Sequence, residues 1–73
     1  MNHAERIAYL KAIDKETISP AQAALVLGGN PYWYNVSAKA GKLTLPHMWA
    51  GRNLKIFKEP ILRLLEGGHH DGA

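Results

Sequence analysis

Hydrophobic positions change their period several times along this 73-residue chain, and each change predicts an element. Over residues 3–15, Ala4, Ile7, Ala8 and Lys11 recur at helical spacing, with Leu10 and Ile13 widening the stripe, so an amphipathic helix is expected. Thr17-Ile18-Ser19-Pro20 reads as a break and a restart. Ser19 carries the side-chain oxygen an N-cap needs, and Pro20 lacks an N–H where none is required. The helix Pro20–Leu27 then offers Ala23, Ala24 and Leu27 for close packing, and Gly28-Gly29 stops it. Asn30-Pro31 repeats the start signal and predicts a further helix to about Ala40, with Gly41 as its stop. Two short helices joined by a glycine-containing turn make a helix-turn-helix pattern.

Beyond Gly41 the period falls to two. Leu43–Trp49 and Asn53–Phe57 read as strands joined through Ala50-Gly51-Arg52, with Leu54 and Ile56 on one face and Asn53, Lys55 and Phe57 on the other. Gly51 can take the positive φ of a tight turn, which puts Arg52 and Asn53 near the hairpin tip. Alternation assigns Met48 to the core and leaves Trp49 open between core and surface. Pro60 opens a last helix, Ile61–Glu66, whose Ile61, Leu62, Leu64 and Leu65 are expected to close the core. The expected fold class is mostly α with a small β-hairpin. Its divisions are an N-terminal helix (1–16), a helix-turn-helix domain with its hairpin (17–66) and a flexible tail (67–73).

Composition narrows the class. Apolar residues make up 47% of the chain and charged residues 21%, a globular rather than disordered balance. A single small domain is all this length allows, burying only about 60% of the surface its unfolded chain exposes. With no cysteine there is no disulfide framework, thiolate zinc site or cysteine nucleophile, and a reducing compartment suits the chain. No apolar run approaches the ~20 residues of a membrane span, and the N-terminus lacks a signal-peptide pattern. A cytoplasmic protein with no membrane partner is expected.

Charge changes the picture more. Residues 1–16 balance Arg6, Lys11 and Lys15 against Glu5, Asp14 and Glu16, whereas residues 17–58 carry Lys39, Lys42, Arg52, Lys55 and Lys58 and no carboxylate. An acid-free stretch of this kind is what a phosphate-facing surface looks like. Catalytic chemistry, by contrast, is missing. Ser19 is assigned to a cap, Ser37 has no evident base, and the glycines of Leu27-Gly28-Gly29-Asn30 lack the lysine of a phosphate-binding loop. His69-His70-Asp71 has no rigid frame and no further ligand, so it reads as tail, and the lone His47 reads as structural. Neither an enzyme, a cofactor nor a metal is expected.

Tyr32-Trp33-Tyr34 is the least ordinary run. Successive helical side chains point about 100° apart, so the three rings cannot share one core. Tyr34 shares a face with Ala38 and is expected to pack between the two motif helices. Tyr32 points outward with Asn35, Val36 and Lys39. Trp33 is expected to pack, as large rings usually do.

The ordered series Thr17-Ile18-Ser19-Pro20, Ala23-Ala24, Leu27-Gly28, Asn30-Pro31, Gly41-Lys42-Leu43, Leu45-Pro46 and Gly51-Arg52-Asn53-Leu54-Lys55-Ile56 resembles the excisionase-type, MerR-like winged helix-turn-helix domains of phages and mobile elements. The likeness covers about two-thirds of the chain and leaves out the N-terminal helix. It implies a winged helix-turn-helix with its second helix in the major groove of double-stranded DNA and its hairpin wing against the backbone or minor groove. The functions it implies are those of a recombination directionality factor acting with a tyrosine-type integrase, or of a small phage regulator, in the nucleoid of a bacterial host. Self-association on adjacent sites would go with a footprint this short. Position by position, the resemblance puts Tyr32, Asn35, Val36 and Lys39 on the reading helix and Arg52, Asn53 and Lys55 in the wing. Asn30 at the start of that helix, and Lys42 and Lys58 from the acid-free stretch, complete the set of residues expected to bind DNA. Asn35 and Trp49 stand where the family carries basic residues. The aromatic residues Tyr32, Trp33 and Trp49 where basic ones would be expected, with a net charge of only +3, also motivate a rival: a protein-interaction module on the same frame, such as an anti-repressor or an inhibitor of a host defence protein.

Overall fold

Three of the four helices begin where a side chain relieves their first free N–H groups. In the computed structural model, which describes residues 1–67, Asn2 and Glu5 cap α1 (His3–Ala12) reciprocally, each side chain accepting from the other's N–H at 2.8 Å. Ser19 and Gln22 repeat this box at α2 (Pro20–Leu27), and Asn30 caps α3 (Pro31–Lys39) by accepting from the Tyr32 N–H. Each such cap is worth about 1 kcal/mol. The last helix, α4 (Lys58–Leu65), runs straight on from a strand without a side-chain cap.

The strands β1 (Thr17–Ile18), β2 (His47–Ala50) and β3 (Asn53–Phe57) form one antiparallel sheet in the order β1-β3-β2. The described residues thus build a small α/β domain of four helices and a three-stranded sheet. Every element except β2 contributes a buried residue to one core, among them Leu10 of α1, Ile18 of β1, Val26 of α2, Tyr34 of α3, Ile56 of β3 and Ile61 of α4. Full burial of side chains this size contributes roughly 1.5–3 kcal/mol each. The N-terminal helix therefore shares the domain's core. It packs on α4, where Lys11 Nζ meets Glu66 Oε2 at 2.8 Å.

Several expectations need correction. The helix expected over 3–15 ends at Ala12, and Ala4, Ala8 and Lys11 are exposed while Leu10 is buried. Thr17 and Ile18 are not merely a break: Thr17 pairs with Phe57 and Ile18 with Ile56, in a strand too short to show a period. Val26 rather than Leu27 is the buried residue at the end of α2. The first hairpin strand begins at His47, not Leu43, and Leu43 and Leu45 reach the core from irregular chain. Within β2 the inward parity belongs to His47 and Trp49, opposite the buried Ile56 and Leu54, so Met48 lies opposite Lys55 and is 47% exposed. Helix α4 starts two residues before Pro60, which the first turn tolerates because its N–H groups have no intrahelical partner. Leu64 on that helix is 64% exposed rather than core. Gly67, expected to begin the tail, is buried, and the His69-His70-Asp71 reading lies outside the described residues.

Candidate nucleic-acid interface

The turn between α2 and α3 fixes where α3 points. Gly28 sits at φ 92°, ψ 175°, a corner of backbone space open essentially to glycine alone. Its carbonyl accepts a 2.7 Å hydrogen bond from the Tyr34 hydroxyl, tying the first turns of α3 to the end of α2. Burial of that phenol pushes its pKa above the ordinary value. Tyr34 and Ala38, four residues apart, take the inward face of α3 as expected. Trp33, one residue back, is rotated about 100° from that face. The expectation that it packs is corrected: it is 56% exposed, with an edge-on contact to the buried Tyr34, 5.1 Å between centroids. With Leu27 it borders a shallow hollow over the Gly28-Gly29 turn.

On the opposite flank of α3, Tyr32 (74% exposed), Val36 and Lys39 follow one another at spacings of four and three residues and form one outward stripe. Asn35 beside them is half-buried, and its Nδ2 donates to the Pro31 carbonyl at 3.3 Å. Asn30 is occupied as the helix cap. Beyond the helix, the backbone N–H of Lys42 donates to the Ser37 carbonyl at 2.8 Å, holding that exposed lysine at the C-terminal end of α3.

The hairpin turn closes on this end of α3. Gly51 takes φ 63° while Arg52 keeps a negative φ, the pattern of a two-residue turn with glycine at its first central position. The loop is thus Gly51-Arg52, one residue shorter than expected, and Asn53 opens β3 opposite Ala50. Between α3 and the turn lies an open groove of about 660 Å³ lined by Ala38, Lys39, Trp49, Gly51 and Arg52. Among the described residues no carboxylate lines it, and both of its cations are exposed.

The other two candidate lysines go elsewhere. Lys55 lies on the outer sheet face opposite Met48, in a hollow it shares with Asp14, Lys15 and Gln22. Lys58 is half-buried. Its ammonium donates to the Ile13 carbonyl just beyond α1, and its surroundings include Asp14, Glu16 and Glu59. Lys58 therefore stands at the other end of β3 from Arg52, with its ammonium on a backbone carbonyl and with Lys15 as well as the three carboxylates around it. Trp49 is the residue the sequence left undecided. Its parity with Leu54 turns it inward against the core, and its remaining surface forms part of the groove.

Among the described residues no group of three or more His, Asp or Glu is arranged to hold a metal ion, and no helix is long and apolar enough to cross a membrane. Compared with protein-family models, with curated proteins and with solved structures, the chain finds no match.

Proposed function

We propose that this chain binds double-stranded DNA as a winged helix-turn-helix protein, with α3 in the major groove and the β2–β3 hairpin as the wing alongside it. The observation that carries the reading is the convergence of Lys39 from α3 and Arg52 from the hairpin turn on one carboxylate-free groove, at the end of the outward stripe Tyr32–Val36–Lys39. Lys39, Lys42 and Arg52 would neutralise phosphates, fixing register without reading sequence. Base discrimination would fall to Val36 against thymine methyl groups and to Tyr32. Asn35 would pair with adenine once its amide turns from the Pro31 carbonyl. A domain this small covers few base pairs, so neighbouring copies or a second protein must complete the assembly. With the resemblance to excisionase-type proteins, that points to a recombination directionality factor or small phage regulator whose DNA bending serves a tyrosine-type integrase.

Selection from a pool of randomised duplexes, with binding repeated across a salt series, tests this reading. An enriched motif with a log–log salt slope of about −2.7, for three neutralised phosphates, is expected. Absence of both enrichment and low-salt binding overturns it.

A protein-interaction module on the same frame is the second reading, favoured by the exposed Trp33 beside Leu27. Under it, Trp33→Ala loses partner capture while Lys39→Glu with Arg52→Glu does not. Under the first reading those outcomes are reversed for duplex binding.

A further inference from the structure

We infer that Trp49 packs against a deoxyribose of one DNA strand, which lies in the groove between α3 and the hairpin turn with Lys39 and Arg52 holding the phosphates on either side. The inference rests on the DNA reading above and deepens it, because it names the part of the nucleic acid the groove takes and the residue that positions it.

Four observations converge on it. The groove's lining combines the chemistries that a sugar–phosphate strand calls for: a cation from α3, an indole from β2 and a cation from the turn. Its other lining residues are Ala38 and Gly51, and a β-carbon built on Gly51 meets no atom within 4 Å, so a backbone can approach closely there. Among the described residues no carboxylate lines the groove to compete for the two cations, in contrast to the surroundings of Lys58 at the far end of β3. Trp49 is also held before anything binds, since it is half-buried and rests against the core. Little side-chain freedom is then lost on docking. An indole at this position supplies contact that salt does not screen, while an ammonium would supply contact that it does.

The experiment uses the full chain and a duplex of mixed sequence at low salt. The protein has two tryptophans, so Trp33→Phe leaves Trp49 as the only indole. Saturating duplex is expected to lower acrylamide quenching of Trp49 about threefold. Trp49→Phe should retain affinity within about threefold, and Trp49→Ala should lose about tenfold with the salt slope unchanged. Trp49→Lys should steepen the slope by about 0.9, since it adds one phosphate contact. Duplex binding with Trp49 as quenchable as in the free protein overturns the inference, as does an unchanged slope in a folded Trp49→Lys variant. If Trp49→Ala fails to fold, the quenching of the Trp33→Phe protein decides alone. Absence of binding by the unmodified chain to any duplex sinks the DNA reading itself, a result distinct from binding that leaves Trp49 open.

Discussion

Arg52 immediately precedes β3 and Lys58 immediately follows it, about 20 Å apart along the strand. Both belong to the same carboxylate-free run of sequence, yet their surroundings are opposite. At the turn end, Arg52 meets Lys39 across a groove with no acid in it. At the base, Lys58 is bonded to the Ile13 carbonyl, with Asp14, Glu16 and Glu59 around it. A charge run along the chain is thus not a charged face. The carboxylates near the base come from either side of the run, brought there by β1 pairing with β3 and by the Lys58 N–H bonding the Glu16 carbonyl at 2.9 Å. Among the described residues no carboxylate lines the groove at the turn end.

The widest expected contrast is in DNA affinity. Lys39→Glu with Arg52→Glu should weaken duplex binding by about a hundredfold or more at low salt, whereas Lys58→Met should leave it within about threefold. Gel-shift titrations of the two variants measure this, and equal losses would erase the distinction between the two ends. Gly51→Ala probes the turn end by geometry. A β-carbon meets open space there, but φ 63° strains any L side chain, so stability should fall by about 1–2 kcal/mol in urea titration. Affinity should fall with it, because the turn aims Arg52.

Lys58→Met sharpens the other end. It keeps the aliphatic stem but leaves the Ile13 carbonyl without its donor, so a stability loss of about 1 kcal/mol is expected alongside the unchanged affinity. The smallest effect belongs to Tyr34, which serves the turn end indirectly by fixing α3. Its folded-state pKa lies above the ordinary 10.0 because burial disfavours the phenolate. Its contribution is therefore complete below that value and is lost as pH rises through the folded pKa. Urea titrations between about pH 9 and 11 should show stability falling. Tyr34→Phe, itself less stable by about 1 kcal/mol for the lost bond to Gly28, should flatten that fall.

Where a rule is local, the sequence carried it unaided. Ser19-Pro20 and Asn30-Pro31 set the starts of α2 and α3, because a cap is satisfied within three residues of its own helix. Tyr34 with Ala38 marked the inner face of α3, and Leu54 with Ile56 that of β3, by helix and strand period alone. The outward stripe Tyr32–Val36–Lys39 followed from the same period. What failed locally was parity and membership. Met48, expected in the core, turned outward, and Trp49, left open by the sequence, turned inward, because register is set by the partner strand. Thr17-Ile18 became a strand only because Phe57 and Ile56 were there to pair with it. Trp33 stayed exposed because Tyr34 already filled the inner face, a matter of available volume that ring size does not reveal. The candidate site divides along the same line. The cationic residue types were legible, but only the tertiary structure joined Lys39, Trp49 and Arg52 and bonded Lys58 to the Ile13 carbonyl. Electrostatic neighbours are set by distance in space, and burial by the whole packed core.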